Sequence, residues 1–204
     1  VERVLYSFTG STDGYAPNAG LILDQGGNLY GTTYLGGSGY PGDGVVFQLT
    51  PSGSGWIENT LHIFTGGADG YWPGANLVFD DAGNLYGTAR YGGAYGGGTV
   101  FIVVPFTVLY NFPCNDCNAG PISLTIDAAG NLYGTTWAAG AYRYGSVFKL
   151  TRSSNGWIFA DLYDFTNGSD GRSPGGVTLD ANGNLWGTAN GGASGYGVVF
   201  EITP

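Results

Sequence analysis

The 204-residue sequence is short of charge, and above all of positive charge. Six Lys and Arg stand against 15 Asp and Glu, a net charge of −9, with a single histidine, His62. So few cations cannot neutralise a phosphate backbone, which argues against nucleic-acid binding, and anionic membrane surfaces repel such a chain for the same reason. No apolar run approaches the roughly 20 residues of a membrane-spanning helix, so no membrane span is expected. Long Ala/Leu/Glu/Lys stretches with a 3.6-residue period are also missing, so no helix is expected. Cysteine is scarce: Cys114 and Cys117, in "CNDC", are the only two. With His62 far away they fall short of the roughly four ligands zinc needs, and no helix follows them as in a redox motif. The reading that remains is a Cys114–Cys117 disulfide bracing a loop, with two free thiols as the alternative; a disulfide suits an exported, oxidising location. No signal peptide is visible, but a mature exported chain has lost one.

What is abundant is glycine, 40 of 204 residues, together with 15% aromatics. Disordered glycine-rich linkers lack the aromatics, and collagen needs a glycine at every third place. The combination predicts a folded all-β protein with many tight turns. It also repeats itself. "DQGGNLYGTT" (24–33) returns as "DDAGNLYGTA" (80–89), "DAAGNLYGTT" (127–136) and "DANGNLWGTA" (180–189). "LYSF" (5–8) returns as "LHIF", "LYNF" and "LYDF", and "GVVFQLT" (44–50) returns three times near the end of each unit. Each unit of about fifty residues therefore holds four strand-like pieces, the layout of a propeller blade. The spacing predicts one β-propeller domain of four four-stranded blades at about 1–50, 51–104, 105–151 and 152–204. The alternatives are half of a larger ring closed by dimerisation and an open repeat array.

The run "LYSFTGSTDGYAPNAGLILDQGGNLYGTT", followed by a GG pair and "GVVFQLTP", closely resembles the GloVer-containing tandem-repeat family. The resemblance covers all four units. It implies a β-propeller, an exported bacterial setting at or beyond the cell surface, and no settled activity or catalytic residues. Two departures stand out: there is no anchoring tail in this chain, and the third unit lacks the "GW" segment found at 55–56 and 156–157.

Asp24, Asp80, Asp127 and Asp180 each precede a glycine by three residues. That spacing predicts a hairpin turn in which Asp accepts a backbone N–H and Gly takes the positive φ. One carboxylate per turn is too few for a calcium cage. In the strand that follows, side chains alternate. Tyr30/Thr32 and their equivalents are expected to pack between blades, while the third position varies as Tyr34, Arg90, Trp137 and Asn190. The mid-strand glycines (31, 87, 134, 187) suggest close backbone approach. Strand alternation sends the D-x-x-G-N turns and GW segments to one end and the Tyr/Gly-rich loops to the other.

Those loops combine Tyr, Gly, Ser and Asn, a palette that suits adaptable binding surfaces. Aromatic rings stack on the apolar face of a sugar while nearby polar groups meet its hydroxyls. The candidate ligand-binding residues are Tyr34, Tyr40, Arg90, Tyr95, Trp137, Tyr142, Asn190 and Tyr196, with Tyr15, Trp72 and Arg172 at the border; gap-filling between blades is the plainer reading. Asp13, Asp69 and Asp170 recur in D-G-x-x-P, which makes a turn, or, by symmetry, would aim several carboxylates at one Ca2+. No other cofactor is indicated. The resulting expectation is a noncatalytic exported module that binds carbohydrate or another cell-surface polymer. Self-association into a surface layer or filament ranks second. A polysaccharide-cleaving enzyme ranks third, because no pair among Asp13, Asp43, Asp69, Asp116 and Asp170 stands out for the two-carboxylate chemistry.

Overall fold

The computed structural model describes residues 1–38, 41–114 and 120–204, and every regular element among them is a strand. Four antiparallel sheets follow one another along the chain. The first contains β1 (Tyr15–Pro17) and β2 (Ile22–Leu23), which share one side of β3 (Leu29–Leu35), followed by β4 (Val45–Ser52) and β5 (Gly55–Ile63). The second repeats this with β6 (Tyr71–Pro73), β7 (Val78–Phe79), β8 (Leu85–Tyr91), β9 (Gly96–Ile102) and β10 (Thr107–Pro113). In the third, β11 (Pro121–Ile126) is unbroken and is followed by β12 (Leu132–Thr136), β13 (Ser146–Ser153) and β14 (Gly156–Asp164). The fourth has β15 (Arg172–Leu179), β16 (Leu185–Asn190) and β17 (Val198–Ile202).

The sheets are one strand out of phase with the expected units. The expected units end at 50, 104 and 151, on the "VF" strand, with the L-aromatic-x-F phrase opening the next blade. Instead β5 pairs with β4, from Ser52↔Gly55 to Val45↔Ile63, and β14 pairs with β13 in the same way. A two-residue hairpin loop forces its flanking strands together, so the "GW" segment belongs to the outer strand of the preceding sheet. In the third unit of the sequence, where that segment is missing, β10 still pairs with β9 but starts later, at Thr107↔Ile102.

The D-x-x-G-N turns are scaffold, and each Asp is a hub. In the second sheet the Gly83 N–H donates to the Asp80 carbonyl at 3.0 Å, and Gly83 has φ +83°. The Asp80 carboxylate accepts from the Ala82 N–H (3.0 Å), the Asn84 N–H (2.8 Å), the Asn84 amide (2.7 Å) and the Tyr86 hydroxyl (2.9 Å). Asp24, Asp127 and Asp180 repeat the pattern, with Trp186 Nε1 in place of the tyrosine hydroxyl in the last. At Gly134 the expected close backbone approach is present, by the Ser123 carbonyl, and the four mid-strand glycines share a second role. Gly87 lies opposite Phe101 in the ladder, and a Cβ there would come within 2.7 Å of the Phe101 ring and of Leu77. Gly31, Gly134 and Gly187 are likewise filled by Phe47, Phe148 and Phe200. The glycine leaves room for a cross-strand aromatic ring.

The sheets stack face to face, with a core in each gap. Val46 of the first sheet meets Phe64, Leu77, Leu85 and Phe101. Tyr86 and Val100 of the second meet Phe112, Leu132 and Phe148, and Tyr133 and Val147 of the third meet Phe165, Val177 and Leu185. Thr32, Thr88 and Thr135 are buried in these gaps, as expected. The row is open at its ends. Val46, Val100 and Val147 are 0% exposed, but Val199, their equivalent in the fourth sheet, is 77% exposed. Among the described residues the arrangement is an open row of propeller blades, one of the alternatives above, and not a closed four-blade ring.

Candidate ligand groove

The end of each second-position strand delivers the variable residue to the next sheet's D-G-x-x-P segment. There the backbone kinks. Trp72 and Ser173 sit at φ +57° and +45°, just before Pro73 and Pro174. A bulky residue in the left-handed region costs about 1–3 kcal/mol and is held only by its surroundings. Here the Trp72 N–H donates to the Asp43 carbonyl at 2.9 Å and the Ser173 N–H to the Tyr144 carbonyl at 2.6 Å. The kink turns Trp72 towards Tyr34, with ring centroids 4.9 Å apart.

Arg90 comes next along the row. Its guanidinium lies 5.4 Å from the Tyr91 ring centroid and 5.5 Å from that of Trp137, within cation–π range. Its Nε is buried and has no hydrogen-bond partner among the described residues. Tyr34, Trp72, Arg90 and Trp137, with Asn18 and Ile122, line a cleft of about 200 Å³. Burial raises the Tyr34 hydroxyl pKa, against the pull of Arg90, so it remains a proton donor. Trp137, 37% exposed, then forms one wall of a second cleft of about 490 Å³ with Tyr144, Arg172, Ser173, Asn190 and Tyr196. The two clefts share Trp137 as a common wall. Among the described residues neither cleft is lined by Asp or Glu, and together they hold two of the six cations of a chain with net charge −9.

The structure therefore gathers Tyr34, Arg90, Trp137, Asn190 and Tyr196, with Trp72 and Arg172 beside them. Tyr95 and Tyr142 do not join them: they are 67% and 57% exposed and line neither cleft. Tyr40 lies outside the described residues, as do Cys117, the second half of the expected disulfide, and Asp116. Asn18 and Tyr144, which the sequence reading missed, also line the groove. They sit beside the Pro kink and the Tyr-rich loop, and only the fold brings them in.

Among the described residues Asp13, Asp69 and Asp170 follow the turn reading of D-G-x-x-P and not the alternative cation site. Asp13 accepts from the Tyr6 hydroxyl (2.9 Å), the Thr9 N–H (2.7 Å) and the Thr9 hydroxyl (2.7 Å). Asp69 and Asp170 are occupied alike by Thr65 and His62 and by Thr166 and Tyr163. Each carboxylate closes its own loop, and among the described residues no three His, Cys, Asp or Glu gather. A wider depression of about 650 Å³ lies between the turns at Asp24 and Asp80, but those carboxylates are already saturated by the turns themselves.

The fold and parts of the sequence have relatives. The profile of the Gloeobacter/Verrucomicrobia repeat matches residues 2–153 and again 103–204. No curated protein matches in sequence. Among solved structures, a virginiamycin B lyase from Staphylococcus aureus is similar over 91% of this chain and 55% of its own, with 13% identity and a TM-score of 0.57. A gluconolactonase from Xanthomonas campestris covers 90% and 56%, at 16% identity and a TM-score of 0.54. PorZ, a bacterial surface component of the type-IX secretion system of Porphyromonas gingivalis, covers 92% and 24%, at 17% identity and a TM-score of 0.51. The chain spans little more than half the length of the first two, and the likeness is one of propeller fold.

Proposed function

The chain belongs to the Gloeobacter/Verrucomicrobia repeat family, and on that premise we propose that it is a noncatalytic exported bacterial module that binds a carbohydrate polymer. The observation that carries this reading is the carboxylate-free groove through Tyr34, Trp72, Arg90, Trp137, Asn190 and Tyr196. Flat, half-exposed rings offer stacking area to the apolar faces of successive sugars. The amide and guanidinium groups supply hydrogen bonds. Two clefts side by side at Trp137 suit successive sugar units, each bound weakly. Extracellular or cell-surface localisation belongs to the same reading, and there the Cys114–Cys117 pair would be oxidised.

The groove chemistry favours neutral or acidic sugars over basic ones. The test is native affinity electrophoresis through gels containing neutral and uronate polysaccharides. The expected result is retardation by at least one, reduced at least tenfold in apparent affinity by Trp137→Ala in a protein that still unfolds at the wild-type temperature. Retardation that Trp137→Ala and Tyr34→Ala both leave unchanged, or none across the panel, removes the groove as a sugar site.

A further inference from the structure

Each gap between successive sheets is built in one way at the cleft end: a strand-end residue of one sheet lies beside the residue before proline in the next. Tyr34 lies beside Trp72, Arg90 beside Gly120 and Trp137 beside Ser173. The three gaps are filled differently. Tyr34 and Trp72 fill theirs themselves, with ring centroids 4.9 Å apart and planes inclined at 31°. Gly120 brings no side chain to its gap, and a Cβ there would run into the Arg90 backbone. Where Trp72 covers Tyr34, the third sheet's pre-proline position leaves the Arg90 side chain uncovered.

The electrostatics of this gap are one-sided. The half-buried Arg90 guanidinium is within cation–π range of Tyr91 and Trp137, which fixes its place before any ligand arrives. Arg172 lines the neighbouring cleft, which shares the Trp137 wall. The ion pair found among the described residues is His62–Asp69, and Arg90 and Arg172 take part in none. The Arg and Trp side chains of the two clefts only donate hydrogen bonds, while the Asn, Tyr and Ser groups donate and accept. A ligand that covers Arg90 strips water from a charge with no counter-charge, which is costly unless the ligand supplies a negative one. A sugar hydroxyl does not supply it. An oxyanion does, through charge-assisted hydrogen bonds roughly twice as strong as neutral ones. The net charge of −9 repels a polyanion from afar, but salt confines that repulsion to about 8–10 Å, so the two arginines govern the contact itself.

We infer that the polymer these clefts take is anionic: a polysaccharide whose rings carry an oxyanion, carboxylate or sulfate, set against Arg90, with the next acidic sugar towards Arg172 and Trp137 stacked on a ring. This rests on the sugar-binding reading above and adds the substrate class to it. Arg90 selects the charge and Trp137 the ring, so substitutions at the two have separable effects.

The experiment is native affinity electrophoresis against two matched pairs of entrapped polymers: polygalacturonate with its methyl ester, and dextran sulfate with dextran. Within each pair the rings are the same and the charge differs, so the wild-type protein alone gives an answer. The expected result is an apparent affinity for at least one acidic polymer about tenfold or more above that for its neutral counterpart. Arg90→Gln should abolish that preference, whereas Trp137→Ala should weaken binding to both members of the pair. Preference within the first pair alone identifies the carboxylate, and within the second alone the sulfate. Equal retardation within both pairs, weakened by Trp137→Ala, leaves the sugar-binding reading in place and overturns this inference. No retardation by any of the four polymers overturns both. A preference for the acidic polymer that survives Arg90→Gln and Arg172→Gln, in variants that unfold at the wild-type temperature, overturns the assignment to these clefts.

Discussion

At the scale of single residues, this protein spends its few carboxylates on its own loops. Asp80 and Asp127 illustrate the balance: burial alone raises their pKa, but the side-chain and backbone N–H groups of Asn84 and Asn131 and the hydroxyls of Tyr86 and Tyr133 outweigh it, and the net shift is downward. Asp13 and Asp170 shift down by the same opposition. The partners respond in the other direction, and Tyr86 is pushed up to about 12 by burial and by Asp80. A carboxylate with a lower pKa folded than unfolded contributes stability above its unfolded value of about 3.9, lost as pH falls through the folded value. Thermal unfolding monitored from pH 7 to pH 3 should therefore show a melting temperature that is level near neutrality and drops below about pH 5. Acid also relieves the repulsion of nine excess negative charges. A melting temperature that rises towards pH 4 would show that repulsion outweighs the hydrogen bonds. Asp127→Ala removes one hub and should cost about 2 kcal/mol by urea denaturation, with its Asn131 N–H left to water.

At the scale of elements, the outer strand couples one sheet to the next. Phe64 is fully buried and bonded in sequence to β5, yet its ring packs in the second sheet's core. Phe64→Ala should cost about 3–5 kcal/mol. Phe8→Ala, at the half-covered end of the row, should cost less than half as much; equal losses in urea titrations would contradict the open end. The glycine–aromatic pair gives a sharper contrast. Gly130 sits in a turn at φ +80° with open space around it, so Gly130→Ala meets only the left-handed backbone penalty of about 1 kcal/mol. Gly87 has ordinary φ but no room, because its Cβ would meet Phe101 and Leu77 at 2.7 Å. Gly87→Ala should cost about 1–3 kcal/mol through repacking. Melting curves showing Gly87→Ala milder than Gly130→Ala would refute the ring-over-glycine account.

At the scale of the whole molecule, four blades in a row have nearest-neighbour cores and two unlike ends. Unfolding should then approach that of a repeat array, in which interior interfaces hold and the fourth sheet, covered on one face, frays first. Hydrogen exchange should find the amides of β16 and β17 less protected than those of β8 and β9; equal protection would mean that the exposed face of the fourth sheet is covered in solution. The groove is also a property at this scale, since each of its walls comes from a different sheet. Its binding should therefore weaken under conditions that loosen the fourth sheet while the first three stay folded.

What the sequence determined by itself was local and periodic. D-x-x-G-N makes the same saturated turn wherever it occurs, because its Asp, Asn and Gly answer to neighbours within a few residues. Strand alternation placed Thr32, Thr88 and Thr135 in the gaps and Tyr34, Arg90 and Trp137 at the strand ends. Where a unit begins was beyond it, because a repeat has no natural origin; hairpin pairing at Ser52↔Gly55 decided that. The purpose of Gly87 was hidden too, since Phe101 is distant in sequence and adjacent only across the ladder. Which tyrosines share a groove depended on left-handed turns at Trp72 and Ser173 and on the stacking of one sheet on the next. The fate of Asp13, Asp69 and Asp170 turned on the same thing: symmetry in sequence suggested convergence, but each sheet turned its carboxylate into its own loop, where the nearest N–H groups lay.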